Sequence, residues 1–244
     1  MPTISAPDTE LSSEPFAREA DRIREAYRKR TSCSLYSMFE PAQMLSVQER
    51  ERKTLDFLRS LGVAQTISSA KILEIGCGSG AWIREFIRWG AQPENITGID
   101  LLPARISEAR HLSPAGIRWL TGSATNLDDI SEKFDLVLQS TVFTSILDQR
   151  MKCQIAKEML RLLIPGGIIL WYDFRMDNPR NPDVRGIEKR EIRQLFPGCS
   201  IHLERLTLAP PLGRRLARIS PNLYRIASGV KPLCSHYLGY IKHG

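Results

Sequence analysis

The amino-acid sequence predicts an α/β domain built on a mostly parallel β-sheet, with helices ahead of it. Three observations carry that prediction. An apolar run (Ile72, Leu73, Ile75) ends in glycines at 76, 78 and 80, and an amphipathic helical pattern follows at once (Trp82, Ile83, Phe86, Ile87). Four further short apolar runs alternate with turns and helical periodicity as far as residue 173. Strands that recur with helices between them are parallel and covered on both faces. Lastly, His236-Tyr-Leu-Gly-Tyr-Ile-Lys242 reads as a late strand after a helical stretch.

Taken in order, residues 1–15 are rich in Ser, Thr and Pro and are expected to be a disordered tail. Residues 16–30 read as a helix, with Phe16, Ala20, Ile23 and Tyr27 at three- and four-residue steps. A loop with Tyr36, Met38 and Phe39 leads to a second helix over 45–61, where Val47, Leu55 and Leu58 form one stripe and Gly62 suits the C-cap. The core strands are expected at 71–75, 95–100, 117–121, 134–139 and 168–173. Helices are expected at 81–89, 103–111, briefly near Leu127, and at 148–163. Beyond them come a helix at 188–195, a strand at 200–206 and an Arg-rich helical insert at 210–230. The division is therefore a tail (1–15), a helical cap (16–62) and a main domain (63–244) that carries the insert.

The 244 residues, 42% apolar and 25% charged, suit one α/β domain with additions. Five widely spaced cysteines (33, 77, 153, 199, 234) without a CxxC pair fit reduced thiols and an expected cytoplasmic location. No Cys/His cluster has metal-ligand spacing, so no metal is expected. The first thirty residues lack the apolar core of a leader, and the longest apolar run is too short to span a bilayer. The net charge of +7 is uneven. From Arg175 onward there are 13 Lys/Arg against 5 Asp/Glu, whereas the rest of the chain carries 21 against 22. That basic third suits an anionic substrate, an anionic membrane surface or nucleic acid.

The glycines at 76 and 78 let the backbone turn sharply and approach a ligand, and the helix after them offers free N–H groups. Gly76-x-Gly78-x-x-Ala81 also fits a dinucleotide fingerprint. Glu74, however, puts a carboxylate beside the turn, which repels a pyrophosphate and suits a sulfonium or ammonium. Asp100 ends the second strand, 20 residues after Gly80, where a carboxylate can accept hydrogen bonds from both hydroxyls of a ribose. Leu101 and Leu102 follow it and could pack on an adenine.

The string Leu73-Glu-Ile-Gly-Cys-Gly-Ser-Gly80 resembles motif I of the class I S-adenosylmethionine-dependent methyltransferases, and Pro165-Gly-Gly167 resembles the turn before their fifth strand. The resemblance covers about residues 70–173. It implies a Rossmann-like, seven-stranded, mostly parallel sheet with an antiparallel last strand and S-adenosyl-L-methionine as cofactor. Glu74, Gly76, Cys77, Gly78, Gly80, Asp100 and Leu101 would hold that cofactor. The turn at 122–126 would add Ser123, which stands where these enzymes usually have an acid facing the adenine, and Ala124. Gln139 would offer its amide to the methionine portion.

In small-molecule members the preceding helices act as a lid, so Tyr27, Arg30 and Tyr36 are expected to bind substrate. The loop after the fifth strand begins where the methyl would point. Tyr172 and Asp173 are therefore the catalytic candidates, and Arg175 and Asn178 substrate-binding ones. No histidine is assigned as base. The endings Leu208-Ala-Pro-Pro-Leu-Gly-Arg-Arg215 and His236-Tyr-Leu-Gly239 resemble a bacterial subgroup of uncharacterised methyltransferases and imply small-molecule biosynthesis. A nucleic-acid acceptor is disfavoured, because Gln139-Ser-Thr-Val142 replaces the Asn/Asp-Pro-Pro-Tyr/Phe signature. Three other readings stay open: intramolecular cyclisation of S-adenosylmethionine, an NAD(P)-dependent oxidoreductase, and a non-catalytic donor-binding regulator or scaffold.

Overall fold

A computed structural model describes residues 16–29, 37–179 and 181–243. The expected tail, Arg30 and Tyr36 lie outside the described residues. Seven strands form one sheet: β1 (Ile72–Ile75), β2 (Ile96–Asp100), β3 (Arg118–Thr121), β4 (Phe134–Ser140), β5 (Leu163–Phe174), β6 (Cys199–Leu208) and β7 (Cys234–His243). Their spatial order is β3-β2-β1-β4-β5-β7-β6. Strands β1 to β5 pair in parallel, and β7 runs antiparallel to both β5 and β6. The last strand is thus interior, wedged between its neighbours.

The helices are α1 (Ala17–Arg28), α2 (Pro41–Ser60), α3 (Val63–Thr66), α4 (Ala81–Arg88), α5 (Pro103–Leu112), α6 (Gln149–Leu162), α7 (Lys189–Leu195), α8 (Pro210–Ile219) and α9 (Pro221–Gly229). Asp148 caps α6, accepting hydrogen bonds from the backbone N–H groups of Arg150 and Met151 at 2.7 and 3.2 Å. The Arg-rich insert is the helix pair α8–α9. Two local expectations change. The short helix near Leu127 is a turn, tied down by its backbone N–H to the Glu158 carboxylate at 3.1 Å. Pro165, Gly166 and Gly167 lie within the first residues of β5.

Alternation along the strands divides the interior into two layers. Leu73, Ile75, Val137, Ile169 and Trp171 pack with Met151 and Ile155 of α6, Ile192 of α7 and Ile23 of α1. Ile72, Leu136, Leu138 and Leu170 pack on the other face with Phe57 of α2 and Trp82, Ile83 and Phe86 of α4. A smaller cluster joins Ala42 and Leu45 of α2 to Ala217 and Tyr224 of α8 and α9. Helices α1 and α2 are therefore built into the same interior, and α1 overhangs the carboxyl ends of the parallel strands, where open α/β sheets bind ligands.

Candidate functional site

The bend after β1 is held in left-handed backbone at Gly76 (φ 66°) and Gly78 (φ 53°). A Cβ on Gly76 would lie 2.4 Å from Cγ2 of Val142, whereas one on Gly78 would meet nothing within 4 Å. The first glycine is thus required by packing and the second leaves the bend open. Two backbone donors fix Asp100 to this bend: Gly78 N–H donates to Oδ2 at 2.8 Å and Leu102 N–H to Oδ1 at 2.9 Å. Burial nevertheless holds the Asp100 carboxyl above the usual range. Glu74 is 2% exposed. Burial first, then the nearby Asp100, pushes its carboxyl well up, against the opposing pull of Arg50 and Arg84. Its Oε2 has no hydrogen-bond partner among the described residues. A buried orphan acceptor beside an open bend fits a ligand that brings an ammonium donor.

The bend opens into a cavity of about 320 Å³. Eight of the ten expected cofactor residues line it: Glu74, Gly76, Cys77, Gly78, Asp100, Leu101, Ser123 and Ala124. Gly80 does not; it starts α4 in left-handed backbone (φ 77°), close under Trp119. Gln139 does not either. It is fully buried, its Oε1 accepting from Val142 N–H at 3.2 Å and its amide directed at the Tyr172 carbonyl. It braces the strand ends rather than facing the cavity. Ile23 and Tyr27 of α1 close the cavity from above. That helix is pinned by Arg22, which donates to the Ser145 carbonyl at 2.6 Å, and by Glu19, which accepts from Leu147 N–H at 2.6 Å.

A second cavity, about 650 Å³, abuts the first. Tyr27, Ser140, Thr141 and Ser145 line both. Tyr172 and Asn178 line the second. The Tyr172 hydroxyl shares a hydrogen bond with Thr207 Oγ1 at 2.9 Å. Its ring stacks on His236, with centroids 4.7 Å apart and planes at 5°. Asp173 goes the other way, because neighbouring residues on a strand point to opposite faces. Its carboxylate accepts from Thr144 Oγ1 (2.6 Å) and from the N–H groups of Phe143, Thr144 and Phe174 (3.0, 3.3 and 2.9 Å). Asp173 therefore anchors the 143–144 turn and lines neither cavity. Arg175 is also elsewhere, donating to the Cys234 carbonyl at 2.9 Å and lying over the Tyr237 ring.

Asp173 supports a prediction about stability. Burial raises its pKa from 3.8 to about 6. A carboxyl whose folded pKa is raised contributes most below its unfolded pKa, and that contribution is lost as pH rises through about 6. Asp173→Asn is expected to abolish this slope in urea unfolding measured across that window. It should also cost about 1–3 kcal/mol, because an amide nitrogen would face two backbone N–H groups. A variant with wild-type stability and an unchanged slope would refute the anchoring role.

The second cavity also contains residues that the sequence reading did not assign. Arg50 of α2 lies 4.6 Å over the Trp82 ring and 5.1 Å over the Tyr172 ring. Arg214 of α8, Tyr224 of α9 and His236 of β7 line the cavity too. His236 is buried, with Nδ1 and Ser235 Oγ 2.9 Å apart. Burial and the neighbouring Arg50 lower its pKa to about 3, so it is neutral. Among the described residues, two without glycine's freedom adopt left-handed backbone, Thr141 (φ 57°) and Thr207 (φ 62°). Both line this cavity, and such strain collects where a ligand must be gripped. The left-handed threonines carry no signature that sequence could show. Arg50 sits in a charged run, Glu49 to Lys53, that reads as a solvated face. Among the described residues, no His/Cys/Asp/Glu group could hold a metal, and no helix is long and apolar enough to cross a membrane.

Comparison with known proteins agrees with this geometry. Residues 72–167 match the family model described as a methyltransferase domain. A ubiquinone biosynthesis O-methyltransferase from Azorhizobium caulinodans is 34% identical over 107 residues, 43% of this chain and 40% of its own length. A 2-methyl-6-phytyl-1,4-hydroquinone methyltransferase from Synechocystis is 28% identical over 149 residues, 58% of this chain and 45% of its own length. The chain thus spans less than half the length of these two relatives. The N-methyltransferase NodS from Bradyrhizobium japonicum, solved with S-adenosyl-L-homocysteine, superposes with a TM-score of 0.62 at 16% identity, covering 91% of this chain and 98% of that one. The matched domain holds the glycine bend, the orphaned Glu74 acceptor and Asp100. On this evidence residues 72–167 are a methyltransferase domain of the class I S-adenosylmethionine-dependent kind, the cofactor being S-adenosyl-L-methionine.

Proposed function

We propose that this chain transfers a methyl group from S-adenosylmethionine to a small acceptor that carries an anionic group and sits in the second cavity. The observation that supports it best is the junction of the two cavities at Tyr27, Ser140, Thr141 and Ser145. When bound, the cofactor supplies an electrophilic methyl on a sulfonium and leaves as the thioether S-adenosylhomocysteine. In this reading Glu74 faces the cofactor's ammonium and Asp100 its ribose hydroxyls, while Leu101, Ser123 and Ala124 border the adenine. Helix α1 serves as the lid.

The anionic preference rests on charge. Lys29, Arg50, Arg185 and Arg214 line the second cavity, and no Asp or Glu does among the described residues. Lys29 and Arg185 are exposed at the rim and already paired, with Glu25 and Glu191. Arg50 and Arg214 are half-buried and have no carboxylate partner among the described residues. The buried Tyr224 hydroxyl, also without a partner there, adds a donor. A guanidinium in a partly desolvated cavity binds a carboxylate or phosphate more strongly than one in water.

The experiment is methyl transfer from tritiated S-adenosylmethionine to metabolite extracts split by anion exchange. Label is expected in products from the retained fraction. Label confined to the flow-through would overturn the anionic preference, and release of methylthioadenosine instead of S-adenosylhomocysteine would favour the cyclising chemistry. With an acceptor in hand, Arg214→Gln is expected to raise KM about tenfold with kcat little changed, because a lost charge-assisted hydrogen bond costs about 1.5–3 kcal/mol. Tyr172→Phe is expected to lower kcat about tenfold and leave S-adenosylhomocysteine affinity within about twofold, since the phenol borders the acceptor and positions it. Equal turnover would remove Tyr172 from the mechanism.

A further inference from the structure

The pair α8–α9 turns one face inward and leaves the other without a partner. Inward, Gly213, Ala217, Tyr224 and Ser228 are buried against α2 and β6. Outward, Ile219, Leu223, Ile226, Val230 and Leu233 recur at steps of four, three, four and three residues. All five are exposed, Ile219 at 67% and Ile226 at 71%. Ile219 ends α8, Leu223 and Ile226 stand a turn apart on α9, and Val230 and Leu233 follow it, so exposed apolar side chains run from the end of α8 past the end of α9. Met38 and Phe39, the latter 98% exposed, stand close by, because Glu40 next to them pairs with Arg218 at the end of α8. Single exposed apolar side chains are ordinary, but such a run along one helix pair is not.

The charge beside this run narrows what could cover it. From residue 205 to 244 the chain contains seven Lys/Arg and no Asp or Glu. Arg215, Arg218, Arg225 and Lys231 are all exposed on the same two helices and the turn after them. A second copy of this chain would set these cations against themselves, which like-charge repulsion opposes. A purely apolar partner would leave them unmatched. An anionic lipid bilayer satisfies both halves: acyl chains take the apolar run, and headgroup phosphates take the arginines.

We propose that α8–α9, with Met38 and Phe39, docks this protein on anionic membrane surfaces. The same two helices contribute Pro210, Gly213, Arg214 and Tyr224 to the wall of the second cavity. Docking would therefore bring that cavity beside the headgroup layer and favour acceptors that partition into lipid. The docking itself does not depend on the methyl-transfer reading.

The test is co-sedimentation of the full chain with vesicles of phosphatidylcholine alone and of phosphatidylcholine with phosphatidylglycerol. Wild type is expected to bind the anionic vesicles at least about tenfold more tightly, and to release in about 0.5 M salt. Leu223→Gln/Ile226→Gln and Arg215→Gln/Arg218→Gln/Arg225→Gln should each lose about tenfold or more of that binding. Calorimetry with S-adenosylhomocysteine serves as the folding control, because none of these five residues lines either cavity. Equal binding to both vesicle types, or variants that sediment like wild type, would overturn the proposal. So would absence of vesicle binding together with dimerisation lost in Leu223→Gln/Ile226→Gln, which would assign the apolar run to a second copy. Capture of tRNA without vesicle binding would overturn it in favour of nucleic acid. Loss of S-adenosylhomocysteine binding by the wild type would instead count against the methyl-transfer reading and leave the vesicle result standing.

Discussion

Asp100→Ala is expected to lose about a hundredfold or more in S-adenosylhomocysteine affinity, from two additive causes. The first is direct. Asp100 lines the first cavity at the end of β2, where a carboxylate can accept from a ribose. The second is structural. The carboxylate also accepts the Gly78 and Leu102 N–H groups, so its removal strands two backbone donors and frees the open half of the glycine bend. Calorimetry measures the affinity, and a thermal melt separates the causes. A loss of affinity much larger than the fall in stability marks direct recognition. An affinity within threefold of wild type would remove Asp100 from the cofactor site.

Gly239→Ala carries the largest expected effect on stability. Gly239 sits in β7, opposite Trp171 of β5 and Leu203 of β6. A Cβ there would lie 1.9 Å from the backbone carbonyl oxygen of His202 and 2.9 Å from Cα of Leu203. The obstacle is backbone on a hydrogen-bonded neighbour, and β7 is held on both edges, so no side chain can swing away to relieve it. The cost is expected to be about 3 kcal/mol or more, enough to leave much of the protein insoluble. Gly166→Ala is the control. Its Cβ would meet nothing within 4 Å, and only its left-handed φ of 80° is strained, worth about 1 kcal/mol. Urea unfolding of the two variants should rank them in that order. Similar midpoints would mean that β7 does not lie between β5 and β6 as described.

The fold and the cluster of residues around the glycine bend were legible in the sequence because both depend on short-range patterns. A strand ending in glycines, a helix beginning directly after the last of them and an acid one strand on are local features. Eight of the ten residues expected, from those features and from the family resemblance, to hold the cofactor line one cavity. Gly80 falls outside it because it starts α4 under Trp119; two strand-end residues were misassigned for a geometric reason. Gln139 and Asp173 sit at strand ends, where a shift of one residue reverses the face, and the linear order carries no marker of which face is which. Tyr172 and Asp173 looked equally apt in the chain, but the pleat gives the cavity to one and the 143–144 turn to the other.

Of the second cavity, Tyr27, Tyr172 and Asn178 were legible in the sequence and the rest was not. Arg50, Arg214, Tyr224 and His236 come from α2, α8, α9 and β7, segments separated by up to 186 positions along the chain. Each looks ordinary in its own neighbourhood: a charge in a charged run, an arginine in a basic insert, a histidine opening a strand. By itself the sequence determined the order of strands and helices, the glycine bend after the first strand, the excess of positive charge in the last third and the Arg-rich helical insert. Only the tertiary structure decided that β7 is an interior strand, that Arg50 lies over both the Trp82 and Tyr172 rings, and that two cavities meet at four shared residues. Backbone preference and hydrophobic period act over one or two turns of chain, whereas a cavity is the space left when distant segments pack.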